Sequence, residues 1–249
     1  AFEYCRMFDR PVLAHEEVLE LSRGGVMHEG LVSLVLGLGG MPAAAEEVLI
    51  GRDIALAEVT GGRLHAMHVS TAGGVALIRE AKRKGIRVTA EACPHHSNFK
   101  MSPPLRTAAD VEAIIAGLVD GTIDCIATDH APHAREKKML ELDRAPFGIL
   151  GLETAVGLAT TRLVHTGRLG WPRLVEAMST LPARILGINR GTLRAGAVAD
   201  VTLIDPALTW TVDVAEFRSK SVNSPFHGWT LQGRAVATIV GGRVKHRLA

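Results

Sequence analysis

Histidine carries most of the chemical information in this chain. His15 follows the apolar run Pro-Val-Leu-Ala, His68 closes Leu-His-Ala-Met-His, and Asp129 follows Cys-Ile-Ala-Thr. Each is a ligand-type side chain at the C-terminal end of a short apolar run. If those runs are parallel strands, their ends share one rim, and residues far apart in sequence converge there. Two imidazoles and a carboxylate, with a position left open for water, make a catalytic zinc set. A single histidine at a strand end is more often structural, but three ligand-type residues at equivalent ends favour a site. The densest segment is Thr-Asp-His-Ala-Pro-His, residues 128–133. Asp129 could bind a metal, act as general base, or both, since coordination keeps it ionised beside a bound water whose proton it can carry. The competing reading is an Asp-His pair that caps a helix or braces a loop.

Other residues could face the same rim. Pro94-His95-His96 follows another apolar run; neighbours in extended chain point to opposite sides, so one imidazole at most faces the pocket, as a wall rather than a ligand. His65, three residues before His68, is expected on the opposite face and structural, and His28 reads as a surface loop residue. Lys100–Arg106, Lys-Met-Ser-Pro-Pro-Leu-Arg, could hold Arg106 near an anionic substrate, or start a helix and leave Arg106 solvated. Phe147-Gly148 offers an aromatic ring beside a flexible amide suited to a carbonyl or carboxylate; an ordinary loop is the simpler reading.

The elements that must position these residues alternate. Strands are expected at 11–15, 63–70, 86–93 and 123–128, and helices at 46–60, 72–84, 107–119 and 153–165. Gly61-Gly62 and Gly85 stand at helix stops, and Thr107 is an N-cap. Alternation of this kind implies a parallel sheet. Near Gly191 it gives way to short strands, with Gly241-Gly242 as a tight hairpin turn. Residues 1–190 are therefore expected to form the α/β part and 191–249 a small β-domain. Four βα units cannot close a barrel, which takes eight. Either the sheet is open or the chain lacks the first half of a barrel.

Composition narrows the class without identifying it. A net charge of +2 with interspersed signs and 4% aromatic residues give no basic face or stacking surface for nucleic acid. No apolar run reaches the roughly 20 residues of a membrane span, and the charged N-terminus is unlike a secretory signal. Three widely spaced cysteines suggest reduced core thiols. A soluble, cytoplasmic, enzyme-sized protein is expected.

The residues also resemble a family. Gly-Thr-Ile-Asp-Cys-Ile-Ala-Thr-Asp-His-Ala-Pro-His (121–133) is similar to the dihydroorotase signature of the amidohydrolase superfamily. The segments 64–72, 88–96, 103–106, 145–155 and 221–228 match that family in the same order, so the resemblance covers essentially the whole chain. It implies a (β/α)₈ TIM-like barrel, of which this chain holds strands five to eight, with a small C-terminal β-domain. It implies one or two Zn²⁺ ions per site, His15 and His68 as ligands, and Asp129 as ligand and general acid/base. His133 and the Phe147-Gly148 backbone would contact dihydroorotate, as would Ser102, which stands where the family usually has Asn. The family's His-x-His strand, its substrate-binding Arg and its bridging carboxylate are not in this sequence, and the link after His96 is short; omitted segments are the expected reason. The implied reaction is reversible hydrolysis of dihydroorotate to N-carbamoyl-L-aspartate, by a homodimer. The alternatives are a hydantoinase or allantoinase, or an inactive homologue that scaffolds aspartate transcarbamoylase.

Overall fold

A computed structural model of the chain describes residues 1–94 and 100–248. The strands are β1 (Pro11–Ala14), β2 (Met27–His28), β3 (Gly40–Met41), β4 (Arg63–Ala66), β5 (Val88–Ala92), β6 (Cys125–Ile126), β7 (Val201–Thr211), β8 (Thr230–Val240) and β9 (Arg243–Arg247). Four of them form a parallel sheet in the order β1-β4-β5-β6. This is the adjacency expected from the βα alternation. Ala14 pairs with Ala66 and Ala66 with Ala90, so the strands end level and share a C-terminal rim.

The crossover helices return the chain for reasons visible in their ends. Ala44–Thr60 has Glu46 and Glu47 in its first turn, favourable to the helix dipole, and stops at Gly61 in the left-handed region. Ala72–Arg83 starts at Thr71, whose hydroxyl accepts from the Gly74 N–H, and ends with Lys82 and Arg83. Ala108–Asp120 is closed by a capping box in which Thr107 and Asp110 each satisfy the other's backbone N–H. Their apolar faces, with Ile50, Val75, Ile78 and Leu118, pack on Leu64, Ala66, Val88 and Ala90 of the sheet. Full burial of side chains such as Ile50 and Ile78 contributes about 1.5–3 kcal/mol each.

The tail is a second, antiparallel sheet, β7-β8-β9. The Gly241-Gly242 turn has φ values of +56° and +75°, which an L side chain would resist, and it joins β8 to β9 as expected. Trp210, Val212, Phe226 and Leu231 of the tail share an apolar cluster with Met101, Ile149 and Leu158, so the tail leans on the loops beside the rim.

Several elements differ from expectation. The strands are shorter at their C-terminal ends: β4 stops at Ala66 and β6 at Ile126, because the chain leaves the ladder to present His68 and Asp129. His28 is not in a surface loop but in β2, paired in parallel with Met41 of β3. The helix expected at 153–165 begins at Ala155 and runs into a π-helical turn, Thr160–Val164. The tail strands begin at Val201 rather than Val198 and run longer, with an irregularity between Asp205 and Thr209, where Pro206 lacks the N–H that a ladder needs.

Candidate active site

His15 immediately follows β1, and its ring meets that of His68 beyond the end of β4. His15 Nδ1 lies 3.0 Å from His68 Nε2, and the ring centroids are 4.7 Å apart in an edge-to-face arrangement. The other nitrogen of His15, Nε2, donates to Oε2 of Glu17 at 2.7 Å. Glu17 is two residues on, hence on the same side of extended chain, whereas Glu16 between them turns inward. Glu16 is buried, and its carboxyl is pushed up to about 8 by burial and by the nearby Asp53 and Glu46 charges, despite Arg52. Burial and the adjacent His15 hold His68 below the usual histidine range, against the pull of Asp129 and Glu91. The shift favours the neutral ring, the form that ligates a metal.

Asp129 stands at the end of β6, with β5 between it and the strand that carries His68. It faces the same cavity as His68, a space of about 500 Å³ whose lining also includes Cys93, Arg106, Leu158 and Phe226. Burial, with the nearby Asp129 and Glu91 charges, pushes the Cys93 thiol well up, so it stays protonated and unsuited to metal binding. The non-glycine residues with positive φ among the described ones are Asp9, His68 and Asp129. Two of these three are the expected ligands. Such backbone costs on the order of 1–3 kcal/mol per residue and concentrates at functional sites.

The donor set fits a zinc ion in part. Two nitrogens each about 2.0–2.1 Å from one tetrahedral zinc stand about 3.3 Å apart, close to the separation of His15 Nδ1 and His68 Nε2. Asp129 does not join them in one cluster: among the described residues, no three His, Cys, Asp or Glu side chains are gathered closely enough to hold an ion. Two intervening strand spacings of about 4.8 Å each separate the backbone of β4 from that of β6. His95 and His96, expected as cavity wall, lie outside the described residues.

The remaining expected residues are tied into the loops. His133 bonds through Nε2 to the Phe147 carbonyl at 2.7 Å. The Gly148 N–H donates to the Lys100 carbonyl, and the Gly148 carbonyl accepts from Lys138 and Asn223, so this amide is engaged within the protein. Gly148 has φ +122°, and a Cβ there would stand 2.5 Å from that of Ala131. Ser102 Oγ donates to Glu17 at 3.2 Å. Arg106 is neither solvated nor free. Its guanidinium is buried, bonded to the Met41 carbonyl at 2.7 Å and to Ser70, with His28 and Glu46 beside it. His65 is buried between Thr89 and Glu91, as expected of a structural residue.

Sequence reasoning missed Asn223. This buried side chain donates to the carbonyls of Ala131 (2.9 Å) and Gly148 (3.2 Å) and accepts from the His133 N–H (3.2 Å). Its own carbonyl accepts from Leu150 at 3.1 Å. One residue of the tail thus holds both loops that carry His133 and Phe147-Gly148. The signal available was an Asn before Ser-Pro in a loop next to an apolar strand, too common to single out.

Comparisons with known proteins agree with this arrangement. The chain is 56% identical to the dihydroorotase of Pelotomaculum thermopropionicum over 256 residues, 98% of this chain and 60% of that protein. With the dihydroorotase of Anaeromyxobacter dehalogenans, strain 2CP-C, identity is 52% over 260 residues, 99% of this chain and 60% of the relative. The chain therefore spans about 60% of the length of these curated relatives. Among solved structures, the L-hydantoinase (dihydropyrimidinase) from Arthrobacter aurescens superposes with a TM-score of 0.87 at 31% identity, covering 99% of this chain and 59% of that one. The D-hydantoinase (dihydropyrimidinase) from a Thermus species gives 0.87 at 28% identity with the same coverage. The model of the amidohydrolase family matches residues 3–245, and with the strand-end histidines and the parallel sheet this establishes that the chain belongs to the amidohydrolase family.

Proposed function

We propose that this chain supplies the His15, His68 and Asp129 side of a dihydroorotase, which reversibly hydrolyses the cyclic amide of (S)-dihydroorotate to N-carbamoyl-L-aspartate. The observation that carries the reading is the facing pair of imidazole nitrogens at the ends of adjacent parallel strands, with the strand-end carboxylate of Asp129 lining the cavity that His68 also lines. Its substrate rests on the relatives, named dihydroorotases at 52–56% identity. Residues 1–190 would carry the hydrolase part and 191–249 the small β unit.

The family is generally metal-dependent. His15 Nδ1 and His68 Nε2 would hold zinc, with Asp129, which stands outside their cluster in this structure, as the carboxylate that completes the set; when bound, the ion polarises a carbonyl and lowers the pKa of water. Asp129 then does the proton work. Its carboxylate takes a proton from the attacking water as the new C–O bond forms, and returns it to the ring nitrogen as the amide C–N bond breaks. The loops that carry His133, Phe147 and Gly148 would flank the substrate, braced from behind by Asn223.

The test is Asp129→Asn in the full-length protein. The amide has the same shape but cannot accept the proton, so dihydroorotate hydrolysis should fall by several orders of magnitude while the melting temperature is retained. Zinc content is measured on the same preparation. Near-normal turnover with zinc bound would overturn the acid/base role. Cyclic ureides such as hydantoin and allantoin, assayed beside dihydroorotate, distinguish the hydantoinase reading, which the structural neighbours favour on fold alone.

A further inference from the structure

His15 has two ring nitrogens with different partners, and the difference decides which of them can bind an ion. Nε2 is 2.7 Å from Glu17 Oε2 and Nδ1 is 3.0 Å from His68 Nε2. A neutral imidazole carries one proton. When that proton sits on Nε2 and is donated to the Glu17 carboxylate, the lone pair is on Nδ1, the nitrogen that faces His68.

Glu17 is itself held in place. Its side chain is 17% exposed, against 42% for His15. The hydroxyl of Ser102 donates to the same Oε2 that receives the His15 proton, at 3.2 Å. Ser22, a buried residue at the end of the short helix Leu19–Ser22, stands beside the carboxylate and helps to hold it ionised. Ser102 thus reaches His15 through Glu17, from a segment 85 residues away in the chain. A carboxylate held by the Ser102 hydroxyl cannot turn from His15 without breaking that bond. Ser102 spends its hydroxyl on that brace.

We propose that Glu17 is a positioning residue that holds His15 in the tautomer with Nδ1 as metal donor, and that Ser102 sets the Glu17 carboxylate. This rests on reading His15 and His68 as metal ligands. Partners of ligating histidines orient the ring and raise its basicity, and their loss typically weakens metal affinity about 10–100-fold.

The experiment uses the full-length protein, stripped of metal by chelation and titrated with Zn²⁺ against a chromophoric chelator. Four variants are compared: His15→Ala, Glu17→Ala, Glu17→Gln and Ser102→Ala. His15→Ala should lose zinc affinity most, and Glu17→Ala should lose about 10–100-fold. Glu17→Gln, which keeps an acceptor but not the charge, and Ser102→Ala should show smaller losses in the same direction. Nitrogen-15 spectra of the histidine rings in metal-free protein supply a readout that a merely structural role would not move. His15 should be the Nε2–H tautomer in the parent and a mixture in Glu17→Ala. If Glu17→Ala binds zinc like the parent while His15→Ala does not, the positioning role is wrong and the ligand assignment stands. If His15→Ala itself binds zinc like the parent, the ligand assignment fails and takes the positioning role with it. Should Glu17→Ala fold poorly, the smaller losses in Glu17→Gln and Ser102→Ala decide: unchanged zinc affinity in both overturns the proposal.

Discussion

The two sides of the candidate site are held by different kinds of bond. At the ends of β1 and β4, side chains bond to side chains: His15 to His68 and Glu17, and Glu17 to Ser102. Around Asn223, side chains bond to main chain. His130 Nδ1 accepts from the Gly151 and Leu152 N–H groups, His133 reaches the Phe147 carbonyl, and Asn223 holds residues 131, 133 and 148. A histidine spent on backbone fixes a loop whatever ligand is present. Two imidazoles bonded to each other can exchange that bond for bonds to an ion with little change in the fold. One side is therefore built for shape and the other for chemistry, although both are rich in histidine.

The comparison can be broken most forcefully at Asn223. Asn223→Ala leaves the Ala131 carbonyl and the His133 N–H without this partner and the buried Gly148 carbonyl with Lys138 alone, at a cost of about 2–3 kcal/mol. Chemical denaturation should show that loss, and zinc affinity should change little. A loss of zinc affinity at unchanged stability would erase the distinction between the two sides.

A smaller effect is expected at Asp110, which ties the loop after β4 to the start of Ala108–Asp120. Its carboxylate accepts from the Ala72 and Thr107 N–H groups and from the Thr107 hydroxyl. Burial acts to raise its pKa, but these bonds and Arg106 outweigh it and hold the carboxyl below the ordinary 3.8. A depressed folded-state pKa stabilises the protein above the unfolded value and loses that contribution as pH falls through the folded one. Asp110→Asn should therefore cost about 1 kcal/mol at pH 7. The difference should shrink below pH 3.8 and vanish once the native carboxyl is protonated, as melts across that range would show.

The smallest structural effect is expected at His15, the residue proposed to bind zinc most directly. His15 is exposed over 42% of its side chain, so His15→Ala should change the stability of metal-free protein by less than about 0.5 kcal/mol. Differential scanning calorimetry with excess chelator checks this. A drop of several kcal/mol would mean that the His15–His68 pair is structural after all.

How much of this was legible in the sequence varies by residue. Thr107 was readable as an N-cap, and Gly241-Gly242 as a hairpin turn, because capping and turn chemistry act within a few residues. His65 was readable as structural from its spacing to His68. The positive φ of His68 and Asp129 was not, since departure from the ladder depends on what the neighbouring strand ends require. Nor was the burial of Arg106, which needs Met41 and Glu46 from the segment before β4.

The order of apolar runs and helix stops by itself determined a parallel α/β sheet, an antiparallel tail and a rim where His15, His68 and Asp129 could stand. Those features follow from local periodicity and from the rule that parallel strands place their C-terminal ends together. Only the tertiary structure decided which ring nitrogens of His15 and His68 face each other, that Glu17 and not Glu16 grips His15, and that Asn223 from the tail clasps both loops. Hydrogen bonds of about 3 Å between residues 53 to 92 positions apart depend on how separate elements pack, and no short-range pattern records that.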